Sequence, residues 1–77
     1  MAQKITSQES AQIFQAWLMS MGWDGHGGLK EAASALGMNR RQIERFNLGE
    51  SKLKPVTRLA MAAVTAGIPP FEKGQFL

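Results

Sequence analysis

Apolar residues recur along this chain at three- and four-residue steps, and no segment alternates with the two-residue period of a strand. Ile13, Phe14, Trp17, Leu18 and Met21 form the first stripe. Thr6 followed by Glu9 offers a capping box ahead of it, so a helix is expected from about Ser7 to Met21, with Gln8, Gln12 and Gln15 toward water and Phe14 and Trp17 as core anchors. The next stretch, MGWDGHGG, holds four glycines and cannot be a helix interior; Trp23 is expected to fold back over the core and His26 to face solvent. Leu29, Ala32, Ala33 and Leu36 then share one face of a second helix, 29–36. Gly37 suits a sharp, left-handed turn, Met38 fills that turn from inside, and Asn39 is a good N-cap. A third helix, Arg40 to Leu48, should dock through Ile43 and Phe46; Arg41, Glu44 and Arg45 lie opposite, with Arg40 on the flank.

Gly49 ends that helix, and the loop 50–54 turns Leu53 inward. Pro55 suits the first position of a fourth helix, 55–66, whose expected buried stripe is Val56, Leu59, Ala60, Ala63 and Val64, with Met61 beside it. Gly67 and Pro69-Pro70 stop it. The reading is an all-α fold of four to five helices forming one domain over 1–77. Residues 1–5 are expected to fray. The tail from 67, with Phe71, Phe76 and Leu77, is expected to pack back on the first helix or to meet a second subunit.

Length changes this picture in one respect. A chain of 77 residues buries only about 60% of its unfolded surface, and small domains of this kind usually need a disulfide, a metal or a partner. There is no Cys, and the one His cannot build a zinc site alone, so a partner subunit is the remaining aid and a homodimer is expected. No cofactor is expected. No apolar run approaches the ~20 residues of a membrane helix, and the first ten residues lack the apolar core of a signal peptide, so the expected location is cytoplasmic and without membrane contact. The GHGG run lacks both a preceding strand and a following Gly-Lys-Ser/Thr, which argues against a nucleotide site. No nucleophile–base pair, metal-ligand cluster or carboxylate pair suggests an enzyme.

Charge adds more by its distribution than by its total. The net charge is +3, but residues 39–58 hold six cations (Arg40, Arg41, Arg45, Lys52, Lys54 and Arg58) against Glu44 and Glu50, while the remainder is slightly acidic. Such a localised basic window is an electrostatic footprint for a polyanion. Arg41 and Arg45 are a like-charge pair four residues apart, mildly unfavourable in an isolated helix and easier to understand opposite an anion.

The segment Leu29–Leu48 resembles the helix-turn-helix of the phage repressor and Cro-like (XRE-type) family, in particular small phage or mobile-element autorepressors such as anti-CRISPR-associated regulators. The matching positions are Ala32 and Ala33, Leu36, Gly37, Met38, Ile43 and Phe46, with Gly49, a basic loop, a Pro and an Ala/Leu-rich helix following. The resemblance covers about residues 28–66. It implies a sequence-specific regulator of transcription, most simply a homodimeric repressor covering a promoter with an inverted repeat and needing no small-molecule effector. It implies that Arg40, Arg41 and Arg45 face the major groove, with Glu44 and Gln42 as secondary candidates. The chemistry agrees, since Arg donates two bonds to guanine, Gln can read adenine and Glu can accept from cytosine. Asn39, Ser51, Lys52, Lys54 and Lys30 are the expected phosphate contacts, which give affinity and register. One departure stands out: the family often begins its first motif helix with Thr-Gln, where this chain has Gly28 and Leu29. Lys30 or backbone N–H groups at that helix start would have to replace the missing side-chain contact. The alternative reading is a helix-turn-helix-shaped interaction module, an antitoxin or phage adaptor, whose basic face binds an acidic protein.

Overall fold

Thr6 begins the described chain with a reciprocal cap. Its hydroxyl accepts from the Glu9 N–H at 3.0 Å, and the Glu9 carboxylate accepts from the Thr6 N–H at 3.1 Å. Two otherwise orphaned backbone donors are thereby satisfied, and the first helix is pinned at its start. The computed structural model describes residues 6–71. Within them lie four helices and no strand: α1 (Ser7–Ser20), α2 (Gly28–Leu36), α3 (Arg40–Leu48) and α4 (Pro55–Ala66). The all-α expectation and its four helix positions therefore hold to within a residue. The expectations for residues 1–5 and for Phe76 and Leu77 lie outside the described residues; Phe71, the first aromatic residue of the apolar tail, is 73% exposed.

The core is aromatic at its centre. Phe14 of α1 is fully buried, and its ring stands 5.7 Å from Trp17 and 5.6 Å from Phe46 of α3. Trp23 closes one side as expected, meeting Trp17 edge-on at 5.5 Å. Leu18, Ala32, Ala33, Ile43, Leu53 and Met61 complete the buried cluster, and Leu29, Leu36 and Met38 pack on its margin. Ala32 is fully buried within this cluster.

The polar groups of Ser10 and Trp17 inside this core are satisfied. The buried Ser10 hydroxyl accepts from the Leu53 N–H at 2.9 Å, which ties the α3–α4 loop to α1. The Trp17 indole N–H donates to the Thr65 hydroxyl at 2.9 Å, and that hydroxyl donates in turn to the Met61 carbonyl at 2.9 Å. Buried polar groups need such partners, so these three bonds add directional constraint to a small core.

Two expectations about side-chain phase are corrected. Ile13 does not belong to the α1 stripe; it is 37% exposed, and the buried line is Ser10, Ala11, Phe14, Trp17 and Leu18. At about 100° per residue Ile13 lies roughly a quarter-turn from Phe14, off the line that Phe14 sets. In α4 the buried residues are Thr57 and Met61, with Ala60, Ala63 and Val64 half-buried, whereas Val56 and Leu59 are 69% and 71% exposed. The helix is rotated away from its apolar maximum because Thr65 must meet Trp17 and Met61 must enter the core.

Gly28 is required by contact. A Cβ there would collide with the Trp23 carbonyl oxygen at 1.7 Å, which no side-chain adjustment can relieve. At Gly25, three residues earlier, a Cβ would meet nothing within 4 Å. Gly28→Ala is accordingly expected to lower stability by about 3 kcal/mol or more through forced backbone displacement, and Gly25→Ala to stay within about 0.5 kcal/mol of the parent. Urea unfolding followed by tryptophan fluorescence measures both.

Candidate nucleic-acid interface

The turn between α2 and α3 is three residues long and each residue has a separate task. Gly37 adopts φ 68°, ψ 31°, a left-handed conformation that ends α2, and its N–H reaches the Ser34 carbonyl. Met38 donates its N–H to the Ala33 carbonyl at 3.0 Å and packs its side chain on the core. Asn39 caps α3: its Oδ1 accepts from the Gln42 N–H at 2.8 Å. The helix that follows has nine residues, and Ile43 and Phe46 are its only buried ones, at 0% and 3% exposure. With its inner side so defined, its outer side follows.

That outer side carries Arg41, Glu44, Arg45 and Leu48, which line a shallow open groove together with Glu50. Arg41, Arg45 and Leu48 repeat at four- and three-residue steps and so form a single row. Arg40 stands on the flank. Its Nε lies 3.9 Å from Glu44 Oε2, with both side chains about half exposed or more (62% and 48%). A pair so long and so wet contributes only about 0.3–0.5 kcal/mol, and leaves the Arg40 guanidinium able to take other partners.

The remaining expected residues gather on the other side of α3. Gln42 is half-buried and its Nε2 donates to the Ser51 hydroxyl at 3.2 Å. Gln42, Ser51, Lys52 and Lys54 line a second groove with Met38, Phe46, Val56 and Thr57. Both lysines are exposed there. The ten expected site residues thus divide. Arg41, Glu44 and Arg45 share the outer groove, and Gln42, Ser51, Lys52 and Lys54 share the inner one. Arg40 lies on the flank, and Asn39 is occupied as a cap. Lys30 stands apart, exposed on the first turn of α2. Arg58, the sixth cation of the basic window, is half-buried, with its Nε sequestered and lacking a hydrogen-bond partner among the described residues.

Three features of the site go beyond what the chain alone suggests. Leu48, 68% exposed, continues the Arg41–Arg45 row as an apolar member; its spacing carries that signal, but its place as the last residue of the helix marks it first as a boundary. Gln15, expected simply to face water, donates from its Nε2 to the Asn47 carbonyl at 2.8 Å and so braces the C-terminal turn of α3 against α1. The α2 start has no side-chain cap: Gly27 stands at the N-cap in a left-handed conformation, and Gly28 packs beneath Trp23. The steric need at Gly28 leaves no room for a side chain at this position.

No helix among the described residues is long and apolar enough to cross a membrane. Comparison of the chain with protein-family models, with curated proteins and with solved structures finds no match in any of the three.

The loop bearing Lys52 and Lys54 is held at its centre by the Ser10–Leu53 bond. Ser10→Ala leaves that buried N–H unpaired and is expected to lower stability by about 1–3 kcal/mol. Local loosening should accompany it, read as faster amide exchange at 51–54 than in α2.

Proposed function

We propose that the protein is a sequence-specific regulator that binds duplex DNA and reads the major groove with α3. The observation that carries this reading is the two-sidedness of α3. A nine-residue helix buries Ile43 and Phe46 and presents Arg41 and Arg45 side by side in one open groove, with Arg40 on the flank. Each Arg can donate a fork of two hydrogen bonds to guanine O6 and N7, worth about 1–3 kcal/mol of discrimination. Glu44 suits the orientation of Arg40, which it already approaches, or acceptance from a cytosine amino group. Leu48 at the end of the row offers an apolar contact for a thymine methyl.

Lys52, Lys54 and the Ser51 hydroxyl stand beside α3, where phosphates flanking the groove would pass. Such contacts give affinity and register. Gln42, bonded to Ser51, serves in this reading chiefly to hold that loop against α3. A homodimer on an inverted repeat places two recognition helices one DNA turn apart, about 34 Å. Regulation is then by occupancy: the pair covers a promoter and blocks transcription. The place of work in this reading is the cytoplasm, where such a regulator meets DNA.

Selection of bound sequences from a random duplex library tests the proposal, and a palindromic consensus is the expected result. On the selected site, Arg41→Ala and Arg45→Ala should each cost about 1–3 kcal/mol and relax preference at one base pair per half-site. Lys52→Ala or Lys54→Ala should instead weaken all sequences alike and reduce the salt slope by about 0.9 for each phosphate no longer neutralised. Failure to enrich any sequence, with the Arg41→Ala/Arg45→Ala double variant binding DNA as well as the parent, would overturn it. Retention of an acidic protein partner through the same arginines would then support an interaction module.

A further inference from the structure

The two grooves beside α3 differ in their balance of charge. The outer one sets Arg41 and Arg45 against Glu44 and Glu50, two cations against two carboxylates. The inner one has Lys52 and Lys54 on its rim and no carboxylate among its lining residues. A third groove, against Trp23 and Leu29, has nearly the same volume as the inner one but carries Asp24 and no cation. Of the three, the inner groove favours an anion most. Two further features act in the same direction. The Ser51 hydroxyl accepts from Gln42, which leaves its own hydrogen to donate. The first turn of α4 lines the groove without a side-chain cap, so the positive end of the helix dipole is uncompensated there.

Charge alone does not describe this groove. Its floor is apolar: Met38 is half-buried, Phe46 lies beneath, and Val56 is 69% exposed at the edge. A DNA phosphate passing the two lysines uses the charge and leaves this floor unmatched. The volume, about 360 Å³, falls within the roughly 300–1,000 Å³ of small-molecule sites. The Gln42–Ser51 and Ser10–Leu53 bonds already hold the loop that forms one wall, so binding asks for little further ordering. We propose that the inner groove is an effector site for a small amphipathic carboxylate. The carboxylate lies among Lys52, Lys54 and the Ser51 hydroxyl, and an aromatic or branched aliphatic body about the size of two fused rings covers Met38 and Val56. The resemblance to phage repressors calls for no effector; an apolar floor under paired lysines does. Such a ligand takes the same three residues that take phosphates in the proposed function. It therefore competes with the DNA backbone and lowers affinity for all sequences alike, leaving base readout to Arg41 and Arg45. By linkage, DNA lowers the affinity for the ligand by the same factor.

The site is measured without DNA, and only its regulatory consequence rests on the regulator reading. Naphthoate is the probe, with naphthamide as its uncharged counterpart and acetate as an anion without an apolar body. Titration of the full chain, followed by the Met38 methyl signal in NMR spectra, should show saturable naphthoate binding with a Kd of about 1 mM, the affinity a ligand of this size allows. Acetate and naphthamide should each bind about tenfold more weakly or worse, as should naphthoate to the Lys52→Ala/Lys54→Ala double variant. Val56→Glu sets a carboxylate at the groove edge, in an exposed position where an acid suits the helix start, and should weaken naphthoate by repulsion with helical circular dichroism unchanged. Leu59→Glu, equally exposed but outside the groove, should leave naphthoate binding as it is. On the selected DNA site, saturating naphthoate should lower affinity by about fivefold or more. Naphthamide that matches naphthoate, or naphthoate binding undiminished by Val56→Glu and by the double lysine variant, would overturn the site; DNA affinity unmoved by saturating naphthoate would overturn the competition. Naphthoate held in the groove of a chain that enriches no DNA sequence leaves the site standing and removes the regulator reading. Sequence-specific DNA binding without any naphthoate response does the reverse.

Discussion

The contact between Phe14 and Phe46, two rings 5.6 Å apart, decides which way α3 faces. A nine-residue helix is too short to be stable by itself in water, and this one also carries Arg41 and Arg45 four residues apart. Its existence and its orientation both come from tertiary packing. Phe46 and Ile43 supply the only buried side chains, and α1 supplies much of what they meet. Two polar bonds from the same helix extend the hold: Gln15 to the Asn47 carbonyl at the end of α3, and the Leu53 N–H to Ser10 in the loop beyond. The outward row of Arg41, Arg45 and Leu48 is thus a consequence of what α1 presents inward.

Much of this is legible in the chain because the governing chemistry is local. The Thr6–Glu9 capping box, the left-handed Gly37, the Asn39 cap and Pro55 at the start of α4 each depend on residues within a few positions, and each takes the expected form. The docking residues of α2 and α3 are legible for a related reason. Apart from the exposed Ala35 and the terminal Leu48, their apolar members occupy one face, so periodicity leaves little choice of side. In α4 it leaves a wide choice. Val56, Leu59, Ala60, Met61, Ala62, Ala63 and Val64 put apolar atoms around most of the circumference, and the inward side is then chosen by Thr65 meeting Trp17, 48 residues away in sequence. Ser10 is illegible because its value lies in a bond to Leu53, and Gly28 because its constraint is the Trp23 backbone. Long-range partners settle what local spacing leaves open.

Within the candidate site the same division applies. That Arg41, Glu44 and Arg45 share a face follows from helix geometry alone, and the structure brings them together in one groove. That Gln42 leaves this group for Ser51 depends on where the following loop is anchored, which no spacing within α3 records. Nor does the charge sum foretell that Arg58 is half-buried, with its Nε sequestered.

The two outward surfaces have different physical requirements, and the loop between them links those requirements. The α3 row, in the reading proposed, calls for countercharge, which screening by salt can partly supply. The α4 face exposes Val56 and Leu59, whose apolar surface carries no charge for salt to screen. Residues 49–54 join the two helices and are held at two points, Ser51 to Gln42 and Leu53 to Ser10. The angle between the charged face and the apolar face is therefore set by two hydrogen bonds at the loop and by the aromatic core behind it. The same two bonds fix where Lys52 and Lys54 stand relative to the Arg41–Arg45 row. Loosening the loop would then displace the two lysines before it disturbed the arginine row, whose docking rests on the buried Ile43 and Phe46.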